Sequence, residues 1–98
     1  MLFTGFNLIS MTFEFTRMIQ FSLLVKAGDR VREFNFRKLQ SPEEQFTVNV
    51  IDDRGDRILF GLRKLEGAWR LATHGLPPWI EQSEDKLCAE VERELENW

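Results

Sequence analysis

Residues 46–71, FTVNVIDDRGDRILFGLRKLEGAWRL, decide the fold. Phe46, Val48 and Val50 alternate with Thr47 and Asn49. Ile58, Phe60 and Leu62 alternate with Arg57, Gly61 and Arg63, and Trp69 and Leu71 flank Arg70. A period of two is the signature of a half-buried strand. The links are turns: Asp52-Asp53-Arg54-Gly55-Asp56, where Gly55 can supply a positive φ, and Leu65-Glu66-Gly67. Links this short join only antiparallel neighbours, so three strands in a meander are expected.

The pattern extends upstream. From Phe13 to Val25, Phe13, Phe15, Ile19, Phe21, Leu23 and Val25 share one parity, and Glu14, Thr16, Gln20, Ser22 and Lys26 share the other. Arg17 interrupts the apolar set, which a bulge near Arg17-Met18 accommodates; a helix over residues 12–20 is the competing reading. Ala27-Gly28-Asp29 is a turn. Val31–Leu39 forms a second strand with Phe34 and Phe36 inward, and residues 40–44 form a loop because Pro42 has no amide hydrogen for a ladder.

After Gly75-Leu76-Pro77-Pro78 the spacing becomes helical. Leu87, Val91, Leu95 and Trp98 lie within about 80° of one another at 100° per residue. Ile80 would join that stripe, but so would Glu84. The expectation is therefore a short turn at Pro78–Glu81, then a helix from Glu84 to about Asn97 with Ser83 as N-cap. The fold class that follows is α+β: a curved antiparallel meander of about five strands, then one C-terminal amphipathic helix packed on one face. One helix is narrower than five strands, so the sheet must curl around it or use a second copy.

The bulk numbers suit one domain. The chain has 98 residues, 43% hydrophobic and 30% charged. Nine Phe and no Tyr mean rings without a polar handle, best placed inside. Residues 1–77 hold 11 Lys/Arg and 9 Asp/Glu, whereas residues 78–98 hold 2 and 7; the acidic end reads as the solvated face of a helix. The folded domain is expected at residues 11–98, with residues 1–10 as an arm, a start-site extension or a short extra strand. That apolar start lacks the basic lead and cleavage site of a signal peptide, and no stretch approaches a membrane span. A cytoplasmic location and no membrane partner are the expectation.

Catalysis is poorly supplied. His74, the only histidine, sits beside a Gly-Leu-Pro-Pro corner with no nucleophile in a recognised pattern. Cys88, the only cysteine, borders the apolar stripe among Glu84 and Glu92, which suits a structural thiol. Asp52, Asp53 and Asp56 lack the full calcium-loop spacing. The reading is no enzyme, no cofactor and no metal site.

The outward sheet face is the candidate surface. Arg37, Asn49, Arg57, Arg63 and Arg70 could hold a ligand or single-stranded nucleic acid, and Met18, Leu24, Ile51 and Leu59 could form a dimer surface. Gly61 leaves a gap in the side-chain cover there. A sheet followed by one helix, over residues 13–98, resembles in order of elements the single-strand-binding folds of the PUR and Whirly type. That resemblance implies bases stacked on exposed aromatics, for which Trp79 and Phe3 or Phe6 are the candidates. It also implies phosphate contacts from arginines that include Arg30 and Arg32. A pleckstrin-like barrel also ends in a helix but needs about seven strands. The leading expectation is a non-catalytic interaction domain that self-associates as a homodimer, with single-stranded nucleic-acid binding as the alternative and a small enzyme using His74 and Cys88 as the third reading.

Overall fold

The computed structural model describes residues 18–39 and 44–97. Five strands, β1 (Met18–Ala27), β2 (Arg30–Leu39), β3 (Gln45–Ile51), β4 (Arg57–Leu65) and β5 (Ala68–Leu71), pair in sequence order. All pairs are antiparallel. A one-turn helix α1 (Pro78–Glu81) and a three-turn helix α2 (Glu84–Leu95) follow. The α+β meander read from the alternation is the fold. The expected arm at 1–10, strand residues 13–17 with their bulge, loop residues 40–43 and Trp98 lie outside the described residues.

Two tight hairpins set the register. Ala27 pairs with Arg30 across Gly28-Asp29, with Gly28 at φ 74°. Leu65 pairs with Ala68 across Glu66-Gly67, both at positive φ. A two-residue loop with these dihedrals matches the right-handed twist of the strands it joins.

One parity of every strand builds the core. Val25, Phe34, Phe36, Phe46, Val48, Val50, Phe60, Leu62 and Trp69 are buried, together with Ile80, Leu87, Cys88 and Val91 from the helical segment. The rings show that the sheet curls. Strands two apart in a flat sheet are separated by about 9–10 Å. Yet Phe46 on β3 has its ring centroid 5.6 Å from that of Phe21 on β1 and 5.3 Å from that of Trp69 on β5. The three converge because they point into a concave face. Of the two solutions to the narrow helix, curling is therefore the one the fold adopts.

The first turn of α2 sits between the two sheet edges. In a two-residue hairpin the closing pair exchanges hydrogen bonds and the next pair points its peptide groups away from the partner. Counting from Ala27–Arg30 turns the Lys26 carbonyl toward the free edge of β1. Counting from Leu65–Ala68 turns the Leu71 N–H toward the free edge of β5. Lys86 Nζ donates to Lys26 O at 2.8 Å, and Leu71 N donates to Glu84 Oε2 at 2.9 Å. Arg70 adds a 3.6 Å ion pair with Asp85. Glu84, the polar intruder in the apolar stripe, thus has a backbone donor to satisfy.

Two expectations about the helical segment change. Ser83 occupies the N-cap position of α2 but makes no side-chain cap bond. It is buried, and its hydroxyl donates to Trp79 O at 2.8 Å. It therefore ties the two helices together rather than capping one. The helix also ends at Leu95, two residues before the expected Asn97.

Arg32 is the other correction. Its alternation places it inward, and it is 7% exposed. Nε donates to Ala27 O at 3.1 Å, Nη1 donates to Asp53 Oδ1 at 2.9 Å, and Cζ lies 3.9 Å from the centroid of Trp79. One side chain joins the β1–β2 hairpin, the β3–β4 turn and α1. Arg30 adds a second contact to Asp53 at 3.4 Å. These contacts clamp the end of the β2–β3 pair, whose register is the shortest in the sheet among the described residues, Asn35–Arg37 opposite Thr47–Asn49.

Arg32→Ala removes a stacked cation and two charge-assisted hydrogen bonds. Urea unfolding should show a loss of about 2–4 kcal/mol, against less than about 0.5 kcal/mol for Arg63→Ala on the open face. Glu84→Ala should accelerate hydrogen exchange at the Leu71 amide well beyond the change at the Ala72 amide, which bonds Gly61 O within the sheet. Equal acceleration at both would mean that Glu84 acts on general stability rather than on the edge.

Candidate functional site

The outer sheet face is organised by one donor-only side chain. Arg57 Nη1 donates to Asn49 Oδ1 at 2.9 Å. A guanidinium cannot accept, so this contact fixes which way the Asn49 amide points. Asn49 Oδ1 then also accepts from Asn35 Nδ2 at 3.0 Å, and Asn35 Oδ1 accepts from Ser22 Oγ at 2.5 Å. The pairings Ser22–Asn35, Asn35–Asn49 and Asn49–Leu59 put the ladder residues in one row across β1, β2, β3 and β4, with Arg57 reaching in from β4.

The direction of this chain has a chemical consequence. Both amide oxygens are consumed inside it, which leaves the Asn49 N–H donors, one Asn35 N–H and most of the Arg57 fork unspent. Arg37 stands one row away, exposed, with no hydrogen-bond or ion-pair partner among the described residues. Together with Gln20 they line an open depression of about 260 Å³ whose wall includes no carboxylate. A surface rich in N–H donors with its acceptors internally satisfied is complementary to an oxyanion.

The remaining candidate residues divide. Arg63 is exposed on the same face, opposite Gln45, and has no partner among the described residues. Arg70 lies on the edge strand and is engaged by Asp85, so it belongs to the edge closure more than to the open face. Met18, Leu24, Ile51 and Leu59 are exposed by 41%, 73%, 42% and 61%. They do not form one apolar patch: Leu24 pairs with Glu33, Leu59 with Asn49 and Ile51 with Arg57. The gap read from Gly61 is partly filled, since a Cβ there would meet Gln45 Nε2 at 3.5 Å and Ala72 Cβ at 3.7 Å.

Three residues considered for phosphate or base contacts are occupied elsewhere. Arg32 is buried, Arg30 is paired with Asp29 and Asp53, and Trp79 is half-buried beneath the Arg32 guanidinium. The described aromatic rings of the sheet all take the inward parity. No base-stacking ring therefore stands on the described part of the outer face. The parity that sets Phe34 and Phe36 inward sets Arg32 inward as well, a signal that its charge obscures.

The candidate chemical groups are equally plain in structure. His74 is exposed in the segment after β5. Asp52 Oδ1 accepts from the Arg54 and Asp56 amides at 2.9 and 2.8 Å, so this carboxylate shapes its own turn. Among the described residues no group of His, Cys, Asp and Glu is arranged to hold a metal ion, and no helix is long and apolar enough to cross a membrane. Cys88 is buried, and its thiol is pushed up to about 11 by burial and then by Glu84.

No family model, no curated protein and no solved structure matches this chain.

The Cys88 shift predicts a pH dependence. The folded thiol holds its proton to about 11 while an unfolded one releases it near 9.0. Its contribution is intact below pH 9 and declines as the pH rises from 9 to 11, because the unfolded state sheds protons first. The loss should be on the order of 2–3 kcal/mol and should appear in the difference between wild type and Cys88→Ala, measured by denaturant unfolding at each pH. A flat difference would mean that the thiol ionises freely in the fold.

Proposed function

We propose that this chain is a non-catalytic binding domain that engages carboxylate-bearing protein segments through its outer sheet face. The observation that carries this is the directional chain Ser22–Asn35–Asn49–Arg57, which consumes acceptors and leaves donors facing solvent beside Arg37. Arginine forks match carboxylate geometry bidentately, and preset amide donors lower the ordering cost of binding.

Three features favour a protein segment over the alternatives. Single-stranded nucleic acids are held by stacking as much as by phosphate contacts, and the rings here point inward. Strand addition at a sheet edge needs open backbone groups, and the helix already satisfies one group on each edge. Catalysis needs an activated group, whereas Cys88 is buried with a raised pKa and His74 is exposed with no activating partner among the described residues.

Fluorescence anisotropy with a labelled Glu/Asp-rich peptide and a mixed single-stranded oligonucleotide tests this. The peptide should bind at low salt, weaken as salt rises, and lose about tenfold in affinity, roughly 1.4 kcal/mol, in Arg37→Ala/Arg57→Ala. Absence of peptide binding would end the reading, and tighter binding of the oligonucleotide would replace it with nucleic-acid recognition.

A further inference from the structure

The donor face raises the question of which carboxylates it meets, and this chain carries a suitable set. In α2, Leu87, Cys88 and Val91 face the core. At 100° per residue Asp85, Ala89, Glu92 and Glu96 fall on one line of the opposite side. All four are exposed. Asp85 has Arg70 as its ion-pair partner, whereas Glu92 and Glu96 have none among the described residues. The small Ala89 lies between the carboxylates and lets another surface approach.

The core separates these two faces. The sheet presents its concave side to the core and its donors to solvent, and the helix presents Leu87 and Val91 to the core and its carboxylates to solvent. A single copy cannot bring them together, so any pairing is between molecules. Pairing two sheet faces would gather Arg37, Arg57 and Arg63 of both copies at one interface against Glu33 from each, an excess of like charge that opposes a symmetric dimer through Leu24, Ile51 and Leu59.

We propose that the occupant of the outer sheet face is the acidic side of α2 of a second copy. Glu92 and Glu96 meet the Arg37 and Arg57 donor field, and Leu59 and Ile51 supply the apolar rim. This rests on the carboxylate-binding reading and names its partner. The contact is heterologous, joining different patches on the two copies, so association can continue beyond a dimer unless the rotation closes a ring.

Sedimentation velocity of the full chain tests it. At about 20 mM salt, species larger than a monomer should grow with concentration, and at about 500 mM they should disappear, because exposed ion pairs are screened at that ionic strength. Arg37→Glu/Arg57→Glu alone and Glu92→Gln/Glu96→Gln alone should each remain monomeric. An equimolar mixture should form a 1:1 complex and nothing larger, since only one intact sheet face and one intact acidic helix remain. A wild type that stays monomeric at about 20 mM salt, or a mixture that does not associate, overturns the proposal. If that wild type still binds the Glu/Asp-rich peptide, the carboxylate-binding reading stands and only the second copy is excluded. Association unaffected by the Arg37 and Arg57 substitutions also overturns it. Circular dichroism checks that each variant is folded before its sedimentation is read.

Discussion

The Arg32 guanidinium is the constraint on which the arrangement of the other parts depends. It sits on the inward face of β2, where an aliphatic residue would satisfy the alternation, and reaches three separate segments at once. A buried cation is costly unless its donors are used and its charge is compensated. Here Ala27 O and Asp53 supply acceptors, and the Trp79 ring covers one planar surface. Gly28 completes the geometry: it adopts φ 74°, and a Cβ there would lie 3.1 Å from Trp79 Cβ, so Trp79 would have to shift by a few tenths of an ångström. An apolar residue at position 32 could fill volume but could not orient a hairpin, a turn and a helix relative to one another.

That orientation governs how the sheet is closed. With α1 seated against the first hairpin, the chain turns at Ser83 and α2 begins between the edges of β1 and β5. Glu84 and Lys86, two residues apart, then point to opposite edges and satisfy a donor on one and an acceptor on the other. Edge strands invite pairing with other chains unless they are blocked. The same turn of helix that covers the concave core therefore also engages one backbone group on each rim. The mismatch between a wide sheet and a narrow helix is met within one chain, by the curl that brings Phe21, Phe46 and Trp69 together.

Much of this was legible in the sequence, because the rule that governs it is local. Side-chain alternation assigned Phe34, Phe36, Phe46, Phe60, Leu62 and Trp69 to the core, and the short links between strands implied the meander. The clash of Glu84 with the apolar stripe correctly broke the helix near Ser83. Where the reading failed, the deciding contact was distant in sequence. Nothing beside Arg32 announces Asp53 or Trp79, and nothing beside Ser83 shows that its hydroxyl is used backward toward Trp79. At the candidate site the outward residues Arg37, Asn49, Arg57 and Arg63 were identifiable from parity. The direction of the hydrogen-bond chain was not, since it requires Ser22, Asn35, Asn49 and Arg57 to align across four strands.

The core and the outer face obey different physics. Buried contacts such as those of Arg32 are shielded from salt, whereas the Arg37 and Arg57 field is exposed and weakens as the ionic strength rises. The ladder contributes little to holding the strands together, because surface hydrogen bonds mostly exchange one partner for water. It contributes orientation instead. Without Arg57, Asn49 could turn its oxygen outward, and a neighbouring donor would become an acceptor that repels a carboxylate. One side chain on β4 thus sets the polarity of residues on three other strands. The face can be altered at that point without loosening the fold, because the packing that holds these strands in register lies on the opposite side of the sheet.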